Sequence, residues 1–96
     1  MNYRKRADKN HTEVSDALRK IGCKVVDLSR VGSGIPDVMV YKEGLCILIE
    51  IKTEKGKLNQ KQKAFHEQWT ECTFVVRTPM EAIEAVLGYV KNHPIR

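Results

Sequence analysis

The sequence contains nothing near the roughly 18 consecutive apolar residues that span a bilayer. Its longest apolar run, Leu45–Ile49, has the length of a strand. The basic start, MNYRKRADKNH, lacks an apolar centre and does not read as a secretory signal. Cysteine is scarce and unpaired: Cys23, Cys46 and Cys72 are odd in number, widely spaced and set among apolar neighbours. That pattern excludes a disulfide framework and suits reduced core thiols in a cytoplasmic protein. No C-x-x-C pair is present to hold zinc. His11, His66 and His93 are scattered, which argues against a histidine metal site. With no repeat, low-complexity segment or linker, residues 1–96 read as one domain with one core.

What is present is ordinary in bulk, with 42% hydrophobic and 30% charged residues, as expected of a globular chain. The net charge of +5 points mildly to a polyanionic partner such as nucleic acid. Val14, Ala17, Leu18 and Ile21 make one helical stripe that Gly22 stops, from a start at either Arg4 or Thr12. KVVDLS from Lys24 is a short strand, and Arg30–Pro36 is a loop broken by two glycines and a proline. DVMVYK and LCILIEIKT flank Glu43-Gly44 as a hairpin. The second of these strands is apolar on both faces, which predicts a central strand covered on both sides. A helix over about Asn59–Glu71 follows, opened by a possible capping box of Asn59 and Gln62, with Phe65, Trp69 and Cys72 inward. TFVVRT is a further strand, and Pro79 opens a last helix with Ile83, Val86, Leu87 and Val90 inward. The order α-β-β-β-α-β-α predicts an α/β fold, a mixed sheet flanked by helices.

Within the hairpin, Glu50 and Lys52 share one face of their strand, while Ile47, Ile49 and Ile51 take the other. If Glu43-Gly44 is a two-residue turn, Lys42 pairs with Leu45 and Asp37 falls opposite Glu50. Opposed residues share a face, with Cβ atoms roughly 4.5–5.5 Å apart. A three-residue turn without a bulge would part the two acids. Two carboxylates that close repel unless a cation lies between them. Oxygen ligands without histidine or thiolate favour Mg²⁺ or Mn²⁺ over zinc. Lys52 could orient the attacking water or offset charge developing on a phosphoryl group. The plainer alternative is an ion pair of Lys52 with Glu50 or Asp37 at a strand end.

Pro36-Asp37, twelve residues, then Glu50-Ile51-Lys52 resembles the PD-(D/E)xK nuclease signature. G-x-G-x-PD, IEIKTEKGKLNQKQ and FVVRTPMEAIEAV resemble the VRR-NUC family, the virus-type replication–repair nuclease domain, over about Thr12 to Val90. The resemblance implies a restriction-endonuclease-like αβββαβ core, here with an extra C-terminal helix. It implies divalent-metal-dependent cleavage of DNA, with Asp37 and Glu50 as metal carboxylates, Lys52 as catalytic lysine and the main-chain carbonyl of Ile51 as a further ligand. Related nucleases carry a helix glutamate near the metal, which would be Glu13. The other reading of Glu13 is a capping box with Asn10. The family's active-site glutamine falls on Gln62, which can also cap with Asn59.

Arg30, Lys55, Lys57, Lys61 and Lys63 flank the acids with positive charge, as phosphate contacts require. Arg4, Lys5, Arg6 and Lys9 form either a basic arm or a helix start. With no aromatic platform or base-reading helix evident, recognition of DNA shape is expected, on branched, flap or junction substrates, by a homodimer. The competing readings are a catalytically silent DNA-binding module of this fold and a sequence-specific restriction-type enzyme.

Overall fold

The structure, a computed structural model, describes residues 3–94, with side chains from Ala7 onward. The elements are α1 (Tyr3–Lys20), β1 (Lys24–Asp27), β2 (Val38–Lys42), β3 (Leu45–Ile51), α2 (Gln60–Gln68), β4 (Thr73–Val76) and α3 (Pro79–Asn92). This is the expected order. The sheet runs β1-β2-β3-β4, with β1/β2 and β2/β3 antiparallel and β3/β4 parallel. The parallel pair is joined through α2, since parallel strands need a crossover. Among the described residues, no helix is long and apolar enough to cross a membrane.

The hairpin turn has even parity. Glu43 at φ +51° and Gly44 at φ +86° form a two-residue turn with both central φ values positive, the type I′ geometry. The register runs from Lys42↔Leu45 to Val38↔Ile49, so the next step sets Asp37 opposite Glu50.

One face of the sheet is dry. Val38, Val40, Ile47, Ile49 and Val76 pack under Val14 and Leu18 of α1 and Ala82 and Val86 of α3. Each fully buried Val, Leu or Ile side chain here contributes about 1.5–3 kcal/mol. The other face is thinly covered, so two expectations change. β3 is central, but Leu48 is only half-buried and Cys46 is exposed rather than a core thiol. α2 has no buried residue, and Trp69, expected inward, is 50% exposed where it stacks on Phe65. In α3, Ala82 rather than Leu87 completes the inward stripe, and Leu87 is 45% exposed. Helix α1 begins at Tyr3, ahead of both segments whose start was ambiguous; Lys9 lies in it, and the side chains of Arg4, Lys5 and Arg6 fall outside the described residues.

The loop before β2 holds three successive positive φ values, at Gly32, Ser33 and Gly34. Gly34 lies so close to α2 that a Cβ there would be driven into the Lys61 carbonyl. Around Gly32 a Cβ would meet nothing within 4 Å. Gly34→Ala therefore carries both backbone strain and a clash with the first turn of α2, whereas Gly32→Ala carries strain alone. In urea unfolding Gly32→Ala is expected to lose about 1–2 kcal/mol and Gly34→Ala more; equal losses would show that the loop does not seat α2.

Candidate active site

Three backbone features bring the acids together. The type I′ turn sets the register, Leu28 N–H donates to the Asp37 carbonyl at 2.7 Å, and Ile51 N–H donates to Asp37 Oδ2 at 2.8 Å. The Asp37 carboxylate is thereby tied to the strand that carries Glu50. Glu50 is 2% exposed. Its Oε2 lies 3.7 Å from Lys52 Nζ and accepts from Gln62 Nε2 at 3.4 Å, while its Oε1 is buried with no partner among the described residues. Gln62 uses both ends of its amide, because its Oε1 also accepts from Asn59 N–H at 2.9 Å. Asn59 Oδ1 returns a bond from Gln62 N–H, completing the capping box. One side chain thus both caps α2 and bonds Glu50.

Burial pushes the Glu50 carboxyl up from 4.5 to about 8, aided by the Asp37 carboxylate beside it; Lys52 pulls the other way without prevailing. Two acids in this state are short of positive charge. Among the described residues no three His, Cys, Asp or Glu side chains converge as a ready-made metal cage. A divalent ion of the magnesium type needs only one or two carboxylates, keeping water elsewhere. The buried, partnerless Oε1 of Glu50 beside Asp37 fits such an ion.

Glu13 stands apart from these groups. Its half-exposed carboxylate pairs with Lys9 at 3.7 Å, an i,i+4 surface pair of little energetic weight. It lines a separate hollow with Asn10, Thr53, Glu54 and Arg77. It is not a capping-box residue either, since α1 starts at Tyr3 and Asn10 lies inside the helix. The cause is helical phase. The residues of α1 that line the cavity of about 370 Å³ holding Asp37 and Ile51 are Ala7, Asp8, His11 and Thr12. Glu13 lies about 200° round the helix from His11.

Sequence reasoning missed several residues. His11 and Asp27 face each other at 3.7 Å across the rim of the Asp37 cavity. Asn10 Nδ2 donates to the carbonyls of Lys52 at 2.9 Å and Arg77 at 3.2 Å, stapling α1 to the ends of β3 and β4. Arg77 Nη1 donates to the carbonyls of Thr53 at 2.6 Å and Gly56 at 2.7 Å, holding the loop that leaves the site. These contacts span 21 to 67 residues of chain, and no local pattern announces them. Arg30, Lys55, Lys57, Lys61 and Lys63 are all exposed, as phosphate-contacting side chains must be.

The family described as archaeal Holliday junction resolvase (Hjc) matches residues 1–84. A solved structure titled VRR_NUC domain superposes with a TM-score of 0.69 at 22% identity, covering 93% of this chain and 97% of that one. At that identity the likeness concerns the fold, restriction-endonuclease-like with a four-stranded mixed sheet, as expected. No curated protein matches the chain.

The state of Glu50 makes stability depend on pH. Unfolded, its carboxyl loses its proton near 4.5, and folded near 8, so between these values the unfolded chain binds fewer protons and stability falls as pH rises. In chelator, Glu50→Gln should flatten that decline and stabilise the protein at pH 8 by roughly 1–3 kcal/mol. Thermal melts from pH 5 to 9 measure this; an unaltered slope in the variant would exclude Glu50 as its source.

Proposed function

The chain belongs to the archaeal Holliday junction resolvase family, and from that premise we propose that it is a Mg²⁺- or Mn²⁺-dependent deoxyribonuclease, an endonuclease selective for branched DNA such as four-way junctions. The observation that carries this reading is a carboxylate buried to 2% exposure, opposed to a second acid and flanked by a lysine at 3.7 Å. Such a group is costly to the fold, and perturbed acids of this kind cluster at functional sites.

In this reading Asp37 and Glu50, with the main-chain carbonyl of Ile51, would hold the ion. When bound, the ion supplies concentrated positive charge against the non-bridging oxygens of the scissile phosphate. Gln62 fixes Glu50 through Oε2, which leaves Oε1 available as a ligand. Lys52 orients the attacking water and offsets the negative charge that grows as its oxygen bonds to phosphorus and one P–O ester bond breaks. Arg30, Lys55, Lys57, Lys61 and Lys63 hold the flanking phosphates, which gives affinity without base readout. Glu13 has no part in this assignment, because its carboxylate lies in another hollow.

A four-way junction presents symmetry-related strands, and a two-fold dimer presents two sites. Support for a homodimer comes from the thinly covered face of the sheet, where Tyr41 of β2 and Trp69 beside α2 are 40% and 50% exposed. Exposed aromatic side chains are the kind that association surfaces use.

Two measurements test the proposal. With linear, nicked, flapped and four-way-junction DNA, the junction should be cut preferentially in Mg²⁺ or Mn²⁺ and nothing cut in EDTA. Lys52→Ala should lose at least about 100-fold in rate at unchanged melting temperature; metal-independent cleavage or full activity in Lys52→Ala would overturn the mechanism. Light scattering at micromolar concentration should give twice the mass of the chain, and a monomer there would remove the dimer.

A further inference from the structure

His66 is a histidine that the mechanism above leaves without a task. It lies on α2 four residues after Gln62, hence one turn along the same side of the helix. Gln62 touches Glu50, so that side of α2 looks onto the Glu50–Lys52 pair. The Nε2 of His66 is buried and has no hydrogen-bond partner among the described residues. A buried polar atom left unpaired costs about 1–3 kcal/mol, so its retention calls for a reason.

Lys52 has the complementary need. Its ammonium carries three donors on a flexible four-carbon stem, and its side chain is 16% exposed. Its one acidic neighbour within ion-pair range among the described residues is Glu50 Oε2, at a long 3.7 Å, and Gln62 already donates to that oxygen. One loose contact does not fix a lysine within the fraction of an ångström that reaction demands. An uncharged imidazole nitrogen suits the other side of the ammonium, since it accepts a hydrogen bond without cancelling the charge. Burial and the charge of Lys52 both hold the His66 pKa below its usual 6.5, which favours the uncharged ring.

We propose that His66 is a positioning residue for Lys52: its unprotonated Nε2 accepts a hydrogen bond from the lysine ammonium and holds it against the reacting phosphate. The proposal rests on the nuclease reading for its consequence in cleavage, while the contact itself is independent of activity. His66→Leu, which fills the space without an acceptor, should lower kcat for junction cleavage about 10–100-fold with KM unchanged. His66→Gln, whose side-chain oxygen reaches the position of Nε2, should restore most of the loss. Equal rates in wild type and His66→Leu, or equal losses in Leu and Gln variants of unchanged melting temperature, would overturn it. Long-range ¹H–¹⁵N spectra of the wild-type protein give a reading that needs no cleavage. Nε2 should be the unprotonated nitrogen, and its shift should move in Lys52→Ala; a proton on Nε2, or an unmoved shift, would sink the contact. If the wild type cuts no DNA, the nuclease reading falls, and the spectra still decide the fate of the His66–Lys52 bond.

Discussion

Much of this structure is arranged around one unfavourable juxtaposition: the Glu50 carboxylate, buried at the end of β3 and opposed to Asp37. Left to itself such a pair would open or take up a proton, and the carboxyl raised to about 8 shows how strongly the site favours the proton. The surrounding backbone denies it the first route. Asp37 is bonded on both sides, to Leu28 and to Ile51. The end of β3 is pinned by Asn10 and by its parallel pairing with β4. The strain is held in place by groups that take no part in chemistry, which is how a fold keeps a reactive arrangement intact.

The two faces of the sheet divide the labour. The face beneath α1 and α3 carries nearly all the dry aliphatic packing and supplies rigidity. The opposite face carries Glu50 and Lys52, and α2, which covers this face, has no buried residue of its own. α2 is seated by the close approach of Gly34 to Lys61 and by the Gln62–Glu50 bond, so its placement and that of the acids are coupled. A helix held so lightly belongs to the low-stability end of a fold, where segments that meet a ligand are found.

The hairpin was legible because its information is local. Two apolar strands around Glu43-Gly44 admit few turns, and the two-residue turn is the one that places both acids on one side. Gln62 was legible for a similar reason, since the capping box and the inward position both follow from helical spacing around Asn59. Helix faces were less so. Periodicity assigned Trp69 and Leu87 inward, yet both are about half exposed, because apolar spacing does not say how much of a stripe finds a covering element. Glu13 was misplaced by the same kind of gap. Spacing puts it next to a buried stripe, but the direction in which it looks depends on how α1 lies across the sheet.

The sequence by itself determined the element order, the parity of the hairpin and the trio Asp37, Glu50 and Lys52. Each is set by residues within about a dozen positions of one another, through turn geometry and strand alternation. Only the tertiary structure decided which α1 residues face the Asp37 cavity, that Asn10 and Arg77 staple the strand ends, and that the His66 ring nitrogen is buried. Those outcomes depend on the angle at which helices cross the sheet and on hydrogen bonds closed over tens of residues. Such contacts form only once the core has packed and leave no periodic trace in the chain.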